Sequence, residues 1–257
     1  MTPAALGVVI PAHNEEHRIH ACMRSVHAAV EHVAPMPVVI VVAADACTDA
    51  TATLAARGGA HVVNTWSHNV GTARAVGIDQ ALKLLADAGP DVWLAMTDAD
   101  TTVPATWLTH QVAWARRGYD AVLGTIRLSP ITAGALHTAR HDADYFRTRP
   151  FKETEPPWEH PHVHGANLGV SSDAYLQVGG FAPLPTGEDR DLAARLFAAG
   201  YRVARTDQNA VHTAARLRGR APGGLADLLA SLHPAALHGL DSVRHRGPEP
   251  LDPVRPA

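Results

Sequence analysis

The sequence predicts an α/β fold in which a mostly parallel, Rossmann-like central sheet is covered by helices on both faces. Short runs rich in β-branched residues recur in the first hundred residues, and a segment with helical spacing of apolar residues follows each of them. The runs show no polar alternation, as expected of strands buried on both faces. This alternation of strand and helix is typical of βαβ units, and 257 residues with 46% hydrophobic content suit one domain with a sizeable core.

The elements are predicted in order from their periodicity. The expected strands are LGVVIP, PVVIVVAA, AHVVNTW and DVWLAMTD, at 6–11, 37–44, 60–66 and 91–98. The expected helices between them cover 15–33, 47–58 and 70–89. Two more are expected, one starting near Pro104 and one that follows Gly187, Glu188 and Asp189 and ends at Gly200. Ligands of open α/β sheets bind beyond the carboxyl ends of the strands, so PAHNEE, ADACTD, SHNVGTAR and DAD should meet at one rim.

Composition narrows the class of protein and its partners. A net charge of −3 argues against nucleic acid, because binding to a phosphate backbone needs a basic face. Two cysteines make no disulfide framework and suit a reducing compartment. We find neither a signal-peptide pattern nor a run near the ~18 apolar residues of a membrane span. The prediction is a cytoplasmic protein with no transmembrane segment; peripheral membrane attachment and oligomeric state stay open.

Asp98 and Asp100 follow the fourth predicted strand with one alanine between them. Side chains two apart in an extended stretch point the same way, so both carboxylates can face one cavity. Paired anions favour a divalent cation such as Mn²⁺ or Mg²⁺, which prefers oxygen ligands and completes its shell with water and substrate phosphates. The alternative is that one aspartate caps the helix near Pro104 and the other is solvated at a turn.

Five segments in sequence resemble family 2 glycosyltransferases of the GT-A fold, over roughly residues 6 to 220. They are PAHNEE, DACTDAT, NVGTARAVG, TDADTTVPATWL and GEDRDLAARLFAAGY. The resemblance implies an enzyme that moves a sugar from a nucleotide-sugar donor, a UDP- or GDP-sugar, to an unidentified acceptor hydroxyl. It implies one GT-A domain over 1–232, with a nucleotide-binding half (1–103) and an acceptor and catalytic half (104–232). Residues 233–257 are proline-rich without amphipathic period, which predicts a disordered tail.

The resemblance places the donor nucleotide against the first half of the chain. Asp45 corresponds to a base-reading acid, but Ala44 stands where the family often has a second acidic residue. Thr48 and Asp49 are expected to cap the next helix. Arg74 matches a basic residue near the ribose or diphosphate; the alternative is an exposed helical arginine. The positions matched to the nucleotide are Pro11, Ala12, Glu15, Asp45, Arg74 and Asp98.

The metal and diphosphate are assigned by the same resemblance. Asp100 is expected to hold Mn²⁺ or Mg²⁺ together with His212, an imidazole that suits Mn²⁺. Arginine forks match phosphate oxygens, so the basic segment after His212 is expected to contact the diphosphate. The alternatives are a packed or solvated histidine and a solvated basic face. The arginines concerned are Arg216, Arg218 and Arg220.

The catalytic base is expected at Asp189, beside Glu188, where the resemblance places an acidic pair under the anomeric carbon. With this base the reaction is a single in-line displacement that inverts the anomeric carbon, although retaining enzymes share the nucleotide half. The structural alternative is an acidic helix N-terminus that complements the helix dipole. Asp191 and Arg195 are expected to pair at i,i+4 on this helix.

The remaining predictions concern the acceptor side. Gly165, Ala166 and Asn167 match a family stretch near the transferred sugar, and Trp158 and Tyr145 suit either stacking on a sugar or the core. Alternation in the histidines leaves open a zinc site or chance, in a chain with 17 histidines. Two other functions compete: a nucleotide-sugar-binding protein without turnover, and a sugar nucleotidyltransferase, which normally has a basic glycine-rich loop where PAHNEEHR is acidic. The histidines are His160, His162 and His164.

Overall fold

A computed structural model describes residues 2–129, 142–143, 145–147, 149 and 159–214. Within these ranges the strands form one sheet of eight. The first four, predicted from apolar runs, are present at the expected positions. The strands are β1 (Ala5–Ala12), β2 (Val38–Asp45), β3 (His61–Thr65), β4 (Val92–Met96), β5 (Thr101–Thr102), β6 (Ala121–Leu128), β7 (Leu168–Ser171) and β8 (Val203–Thr213).

The helices of the described ranges alternate with these strands. Two short 3₁₀ turns, Ala86–Ala88 and Gly165–Asn167, precede β4 and β7. The α-helices are α1 (Ile19–Glu31), α2 (Thr51–Arg57), α3 (Val70–Leu84), α4 (Trp107–Arg116), α5 (Ser172–Gln177) and α6 (Glu188–Ala198).

The strand order is β3-β2-β1-β4-β7-β6-β8-β5. Neighbours from β3 to β4 are parallel, as are β6 and β8, whereas β7 runs antiparallel to both β4 and β6. Leu168, the first residue of β7, pairs with Met96 of β4 and Leu123 of β6. The start of β7 therefore lies at the edge where β4 ends. The predicted α/β fold with a mostly parallel sheet is confirmed, with β7 as its antiparallel insertion.

Two helices, those predicted at 15–33 and 47–58, begin four residues later than the sequence predicts, at Ile19 and Thr51. The chain first forms a loop after β1 and another after β2. The expected helix at 15–33 begins at Ile19, after Asn14 adopts φ 52° and the Glu15 amide donates to Thr51 Oγ1 at 2.7 Å. Left-handed backbone is costly for residues other than glycine. Ala46 (φ 49°) and His68 (φ 48°) repeat it after β2 and β3. Such clustering of strained backbone is typical of functional edges.

The core lies on both faces of the sheet. Val8 and Ile10 of β1 pack with α1 on one face, and Val9 packs with α3 on the other. A Cβ at Gly77 of α3 would lie 2.6 Å from Val9 Cγ1, so glycine lets α3 approach the sheet. Among the described residues no helix is both long and apolar enough to cross a membrane. The predicted domain end at 232 and the tail 233–257 fall outside the described residues and stay predictions.

Candidate active site

The rim predicted to face the nucleotide is built from the ends of β1, β2 and β3. Pro11 and Ala12 end β1 and are buried, and their predicted nucleotide contacts stay predictions. Glu15 is also buried, and its carboxylate lies 3.9 Å from Arg18 Nη1. These positions lie beside the end of β2 because Ala12 pairs with Ala44.

Asp45, at the end of β2, binds the loop that follows β3. Its carboxylate accepts hydrogen bonds from the amide and hydroxyl of Ser67 at 2.7 and 3.1 Å, the His68 amide at 3.1 Å and the Asn69 amide at 2.9 Å. Both oxygens are thus bound to protein groups, and the side chain is buried. A nucleobase contact at Asp45 would share these oxygens with three backbone amides. The base-reading role of Asp45 stays a prediction.

The neighbouring Asp49 has a structural role, but Thr48 and Asp49 do not provide the side-chain cap of α2 that the sequence predicts. Its carboxylate accepts from the Thr51 amide at 3.0 Å and from the Glu16 amide at 3.1 Å, which ties the start of α2 to the loop after β1. The Thr48 amide donates to Asn14 Oδ1 at 2.8 Å. Neither residue occupies the N-cap position itself, which is Ala50.

Arg74 on α3 is the centre of the site. Its guanidinium donates to Asp98 Oδ1 at 2.7 Å and to Glu188 Oε1 through a very short contact. The side chains of Arg74 and Glu188 are 4% and 7% exposed, whereas Asp98 is 34% exposed. The Phe181 ring lies 5.7 Å from the guanidinium carbon. Arg74 therefore joins the end of β4 to the start of α6, and it is not the exposed helical arginine of the alternative interpretation.

Burial and neighbouring charges shift the pKa values of Arg74 and Glu188. Burial works against the guanidinium cation, but the carboxylates of Asp98, Glu188 and Asp189 outweigh it and raise the pKa of Arg74. Burial raises the pKa of Glu188, with Arg74 opposing the shift and Asp189 adding to it. Arg74 thus keeps its positive charge, and that charge limits the rise in the pKa of Glu188.

Asp189 is held beside this cluster at the first turn of α6. Its Oδ2 accepts from the Gly165 amide at 2.8 Å, and its Oδ1 accepts from the Arg190 amide at 2.7 Å. Gly165 itself lies against Arg74, because a Cβ there would be 2.5 Å from the guanidinium carbon. The predicted catalytic pair and the predicted sugar-binding glycine therefore meet around one buried arginine.

Gly165→Ala is expected to lower the free energy of unfolding by about 1–3 kcal/mol and to reduce activity, because the added methyl group overlaps Arg74. Thermal denaturation and turnover measure the two effects. Gly58→Ala is the matched control, since the nearest atoms to a Cβ there are 3.3 Å away. Equal losses in the two variants would show that the contact between Gly165 and Arg74 has no special weight.

Asp100 and His212 are brought to neighbouring positions by β5 and β8. Thr102 pairs with His212 and Thr101 with Thr213, while the Thr213 hydroxyl lies 3.4 Å from Asp100 Oδ1. His212 is exposed. The helix after Asp100 begins at Trp107 without a side-chain cap, so the capping alternative for the two aspartates does not hold. In the part of the chain described, no group of three or more His, Cys, Asp or Glu side chains could hold a metal.

On the acceptor side, the Asn167 side chain is engaged within the protein. It accepts from Trp107 Nε1 at 2.9 Å and donates to the carbonyl of Thr125 at 2.9 Å and of Asn209 at 3.2 Å. A Cβ at Gly124 would overlap this amide, so glycine is needed there. Ala166 is buried next to it. The sugar contacts predicted for Ala166 and Asn167 stay predictions. The Asn167 side chain makes its three hydrogen bonds within the protein.

Two of the three alternating histidines, His162 and His164, stack with Tyr145, and His160 stacks with His162. The Tyr145 and His162 rings are 3.7 Å apart between centroids, and His164 Nε2 lies 2.9 Å from the Tyr145 hydroxyl. His160 is fully buried, with Nε2 3.0 Å from the Leu123 carbonyl. Burial lowers its pKa, which keeps the ring neutral. Among described residues this is a packing arrangement, and Tyr145 belongs to the core.

Four predicted site residues fall outside the described residues, so their placement is untested. The expected pair of Asp191 and Arg195 is confirmed, with Arg195 Nη2 at 2.6 Å from Asp191 Oδ2. Arg195 also donates to the Gly180 carbonyl at 2.7 Å, which links α6 to the end of α5. The four residues are Trp158, Arg216, Arg218 and Arg220.

Comparison with protein families decides the class. The model described as glycosyl transferase family 2 matches residues 7–179, more than half of the chain. This chain belongs to glycosyl transferase family 2. The family assigns it to the glycosyltransferase class of enzymes, as the five motifs predict. No curated protein sequence matches the chain significantly.

Solved structures support the GT-A fold of this family 2 glycosyltransferase. S. aureus TarS 1–349, in complex with UDP-GlcNAc, is similar with TM-score 0.59 and 16% identity; the match covers 86% of this chain and 61% of that one. Glucosyl-3-phosphoglycerate synthase from Mycobacterium tuberculosis, in complex with phosphoglyceric acid, is similar with TM-score 0.56 and 18% identity. That match covers 88% of this chain and 77% of the synthase. Mannosyltransferase PcManGT from Pyrobaculum calidifontis, in complex with GDP-Man and Mn²⁺, is similar with TM-score 0.57 and 19% identity. That match covers 97% of this chain and 68% of the mannosyltransferase. At these identities the likeness establishes the fold alone.

Sequence reasoning missed several residues of this glycosyltransferase site. Asn69 caps α3, and its side chain also reaches the carbonyl of Leu184 at 2.8 Å. Gly71 makes room for Glu188, whose Cβ would lie 3.1 Å from an added methyl group. The signal available was Asn69 itself, a preferred N-cap residue directly before the helical run VGTARAVG.

Proposed function

We propose that this chain transfers a glycosyl group from a nucleotide-diphosphate sugar to an acceptor hydroxyl, with inversion and with Asp189 as general base. The observation that carries the proposal is the buried Arg74, which contacts both Asp98 and Glu188 beside Asp189. Such an arrangement fixes a nucleotide-facing carboxylate and a base relative to one another. Orientation of this kind accounts for a large part of enzymatic rate acceleration.

The proton transfer rests on Asp189. In the proposed step the acceptor oxygen forms the new bond to the anomeric carbon as the bond to the diphosphate breaks, and the hydroxyl proton passes to the Asp189 carboxylate. Each Asp189 oxygen accepts one backbone amide, from Gly165 and Arg190, and keeps a lone pair for that proton. These two hydrogen bonds fix the direction in which the carboxylate points.

Asp100 and His212 are the donor set of the proposed divalent cation. Asp100 offers carboxylate oxygen and His212 offers imidazole nitrogen, and both suit Mn²⁺, whereas Mg²⁺ would rely on Asp100. Two protein ligands leave positions for water and the donor diphosphate. When bound, such a cation would offset the negative charge that develops on the leaving diphosphate. Complexes of similar proteins with GDP-Man and Mn²⁺, and with UDP and Mn²⁺, support this choice.

The identity of the nucleotide-sugar donor and the cellular location of the protein are also parts of the proposal. Similar structures hold UDP-GlcNAc, UDP-glucose and GDP-Man, which supports a UDP- or GDP-sugar. The acceptor is not identified by these residues. Both cysteines, Cys22 and Cys47, are free thiols, which suits the proposed cytoplasmic location.

The nucleotide and metal are tested together by thermal denaturation. With Mn²⁺, one of UDP, GDP or their sugars at ~100 times its dissociation constant should stabilise the fold by ~2.7 kcal/mol. Asp100→Asn should remove the part of this shift that depends on Mn²⁺, since it weakens a predicted ligand. Glu31→Gln, at an exposed position in the last turn of α1, is the control and should keep the full shift.

Turnover of the same donors separates the competing functions. Release of nucleoside diphosphate supports glycosyl transfer, and stabilisation without turnover indicates a binding protein. Formation of nucleotide sugar from a nucleoside triphosphate and a sugar phosphate would indicate a nucleotidyltransferase. A stabilisation equally large without Mn²⁺ and in Asp100→Asn would contradict the metal assignment.

A further inference from the structure

The segment 181–187, which leads into α6, is held by the N-terminus of α3. Asn69 Nδ2 donates to the Leu184 carbonyl at 2.8 Å. A Cβ at Gly71 would lie 2.5 Å from the Ala182 carbonyl oxygen, so the two backbones are in direct contact. The segment that presents the catalytic acids is therefore packed on the first turn of a helix from the nucleotide half.

Asn69 connects this contact to the rim predicted to face the nucleotide. Its own amide donates to Asp45 Oδ2 at 2.9 Å, and its side-chain Oδ1 accepts from the Thr72 amide at 2.9 Å. One residue thus binds the end of β2, the start of α3 and the segment before α6. Because Asn69 is only partly exposed, these bonds compete little with water.

We propose that Asn69 is a positioning residue that sets the place of Asp189 relative to the donor, an inference that rests on the proposed function. The Leu184 carbonyl lies five residues before Asp189. Between them the chain makes a left-handed turn at Gly187, φ 76°. A shift of the anchor at Leu184 is passed through this short turn to the base. A displacement of about 1 Å at a catalytic group can cost about a hundredfold in rate.

Asn69→Asp separates positioning from helix capping. Aspartate caps helices as well as asparagine does, so α3 keeps its N-cap. The carboxylate cannot donate to the Leu184 carbonyl and repels it. We expect kcat to fall about 10- to 100-fold, the donor KM to stay within about threefold, and Tm to change by no more than about 2 °C.

Thr72→Val is the matched control for the cap. The Thr72 hydroxyl contributes a secondary contact to Asn69 Oδ1 at 3.2 Å, and its loss leaves the bond to Leu184 in place. We expect this variant to keep kcat within about twofold. Hydrogen exchange of the backbone amides provides a readout that does not need turnover. Amides of 184–191 should exchange about tenfold faster in Asn69→Asp than in Thr72→Val.

The outcomes are distinct. Loss of kcat together with faster exchange at 184–191 in Asn69→Asp alone supports the proposal. Unchanged kcat in Asn69→Asp, an equal loss in Thr72→Val, or unchanged exchange overturns it. A wild-type protein that turns over no nucleotide sugar would instead overturn the proposed function, and the exchange comparison would still decide whether Asn69 holds the segment.

Discussion

Asp189→Asn is expected to lower kcat by about 10²- to 10⁴-fold in a protein that remains folded. The amide matches the carboxylate in shape and can still accept from Gly165, but it cannot take the proton of an acceptor hydroxyl. Steady-state turnover at saturating donor and acceptor measures the loss. Thermal denaturation of the same preparation shows that the fold is retained.

Asp191→Asn is the matched control for this prediction, because Asp191 lies in the same first turn of α6. If both acids served only the helix dipole, each substitution would cost about 0.3–1 kcal/mol of stability, and both variants would keep their activity. A loss of turnover confined to Asp189→Asn would separate catalysis from that structural role. Near-normal kcat in Asp189→Asn would rule out Asp189 as the base.

Arg74→Met is expected to reduce the free energy of unfolding by about 3–5 kcal/mol and to abolish turnover. Methionine fills much of the same volume but leaves Glu188 as a buried carboxylate without its partner. It also releases Asp98 at the end of β4. Denaturant unfolding gives the loss of stability, and product formation gives the loss of activity.

The double variant Arg74→Met with Glu188→Gln tests the cause. Once the buried charge is removed on both sides, stability should recover by more than 1 kcal/mol relative to Arg74→Met, while activity should remain absent. Arg74→Lys keeps one charge but cannot contact two carboxylates as the guanidinium fork does. Additive losses in the double variant would contradict a direct interaction of Arg74 with Glu188.

The sequence predicted the elements that local pattern determines. Strands β1 to β4 and helix α3 are present near the expected positions, because buried strands and amphipathic helices leave clear periodicities. The late start of α1 was missed, since left-handed backbone at Asn14 and the hydrogen bond from Glu15 to Thr51 leave no periodic trace. Strands β5 to β8 were not predicted, and the antiparallel direction of β7 depends on pairing with β4 and β6, which are distant in the chain.

The site was predicted as a set of residues rather than as an arrangement. The family resemblance brought Arg74, Asp98, Glu188, Asp189 and Gly165 to one edge, and these residues do meet there. Their pairing joins positions far apart in the chain, which spacing alone cannot show. The use of both Asp45 oxygens by the loop after β3 was invisible for the same reason, because the donors there are backbone amides that any sequence supplies.

The antiparallel insertion of β7 has a consequence for synthesis on the ribosome. Strands β1 to β4 come from the first 96 residues and pair only among themselves on one side of β4, whereas the other edge of β4 waits for Leu168–Ser171. All five residues of β4 are buried in the finished sheet, so the nascent chain exposes an apolar open edge until β7 emerges. We expect chains that terminate between β4 and β7 to aggregate, and we expect a chaperone to bind the nascent chain until β7 is synthesised.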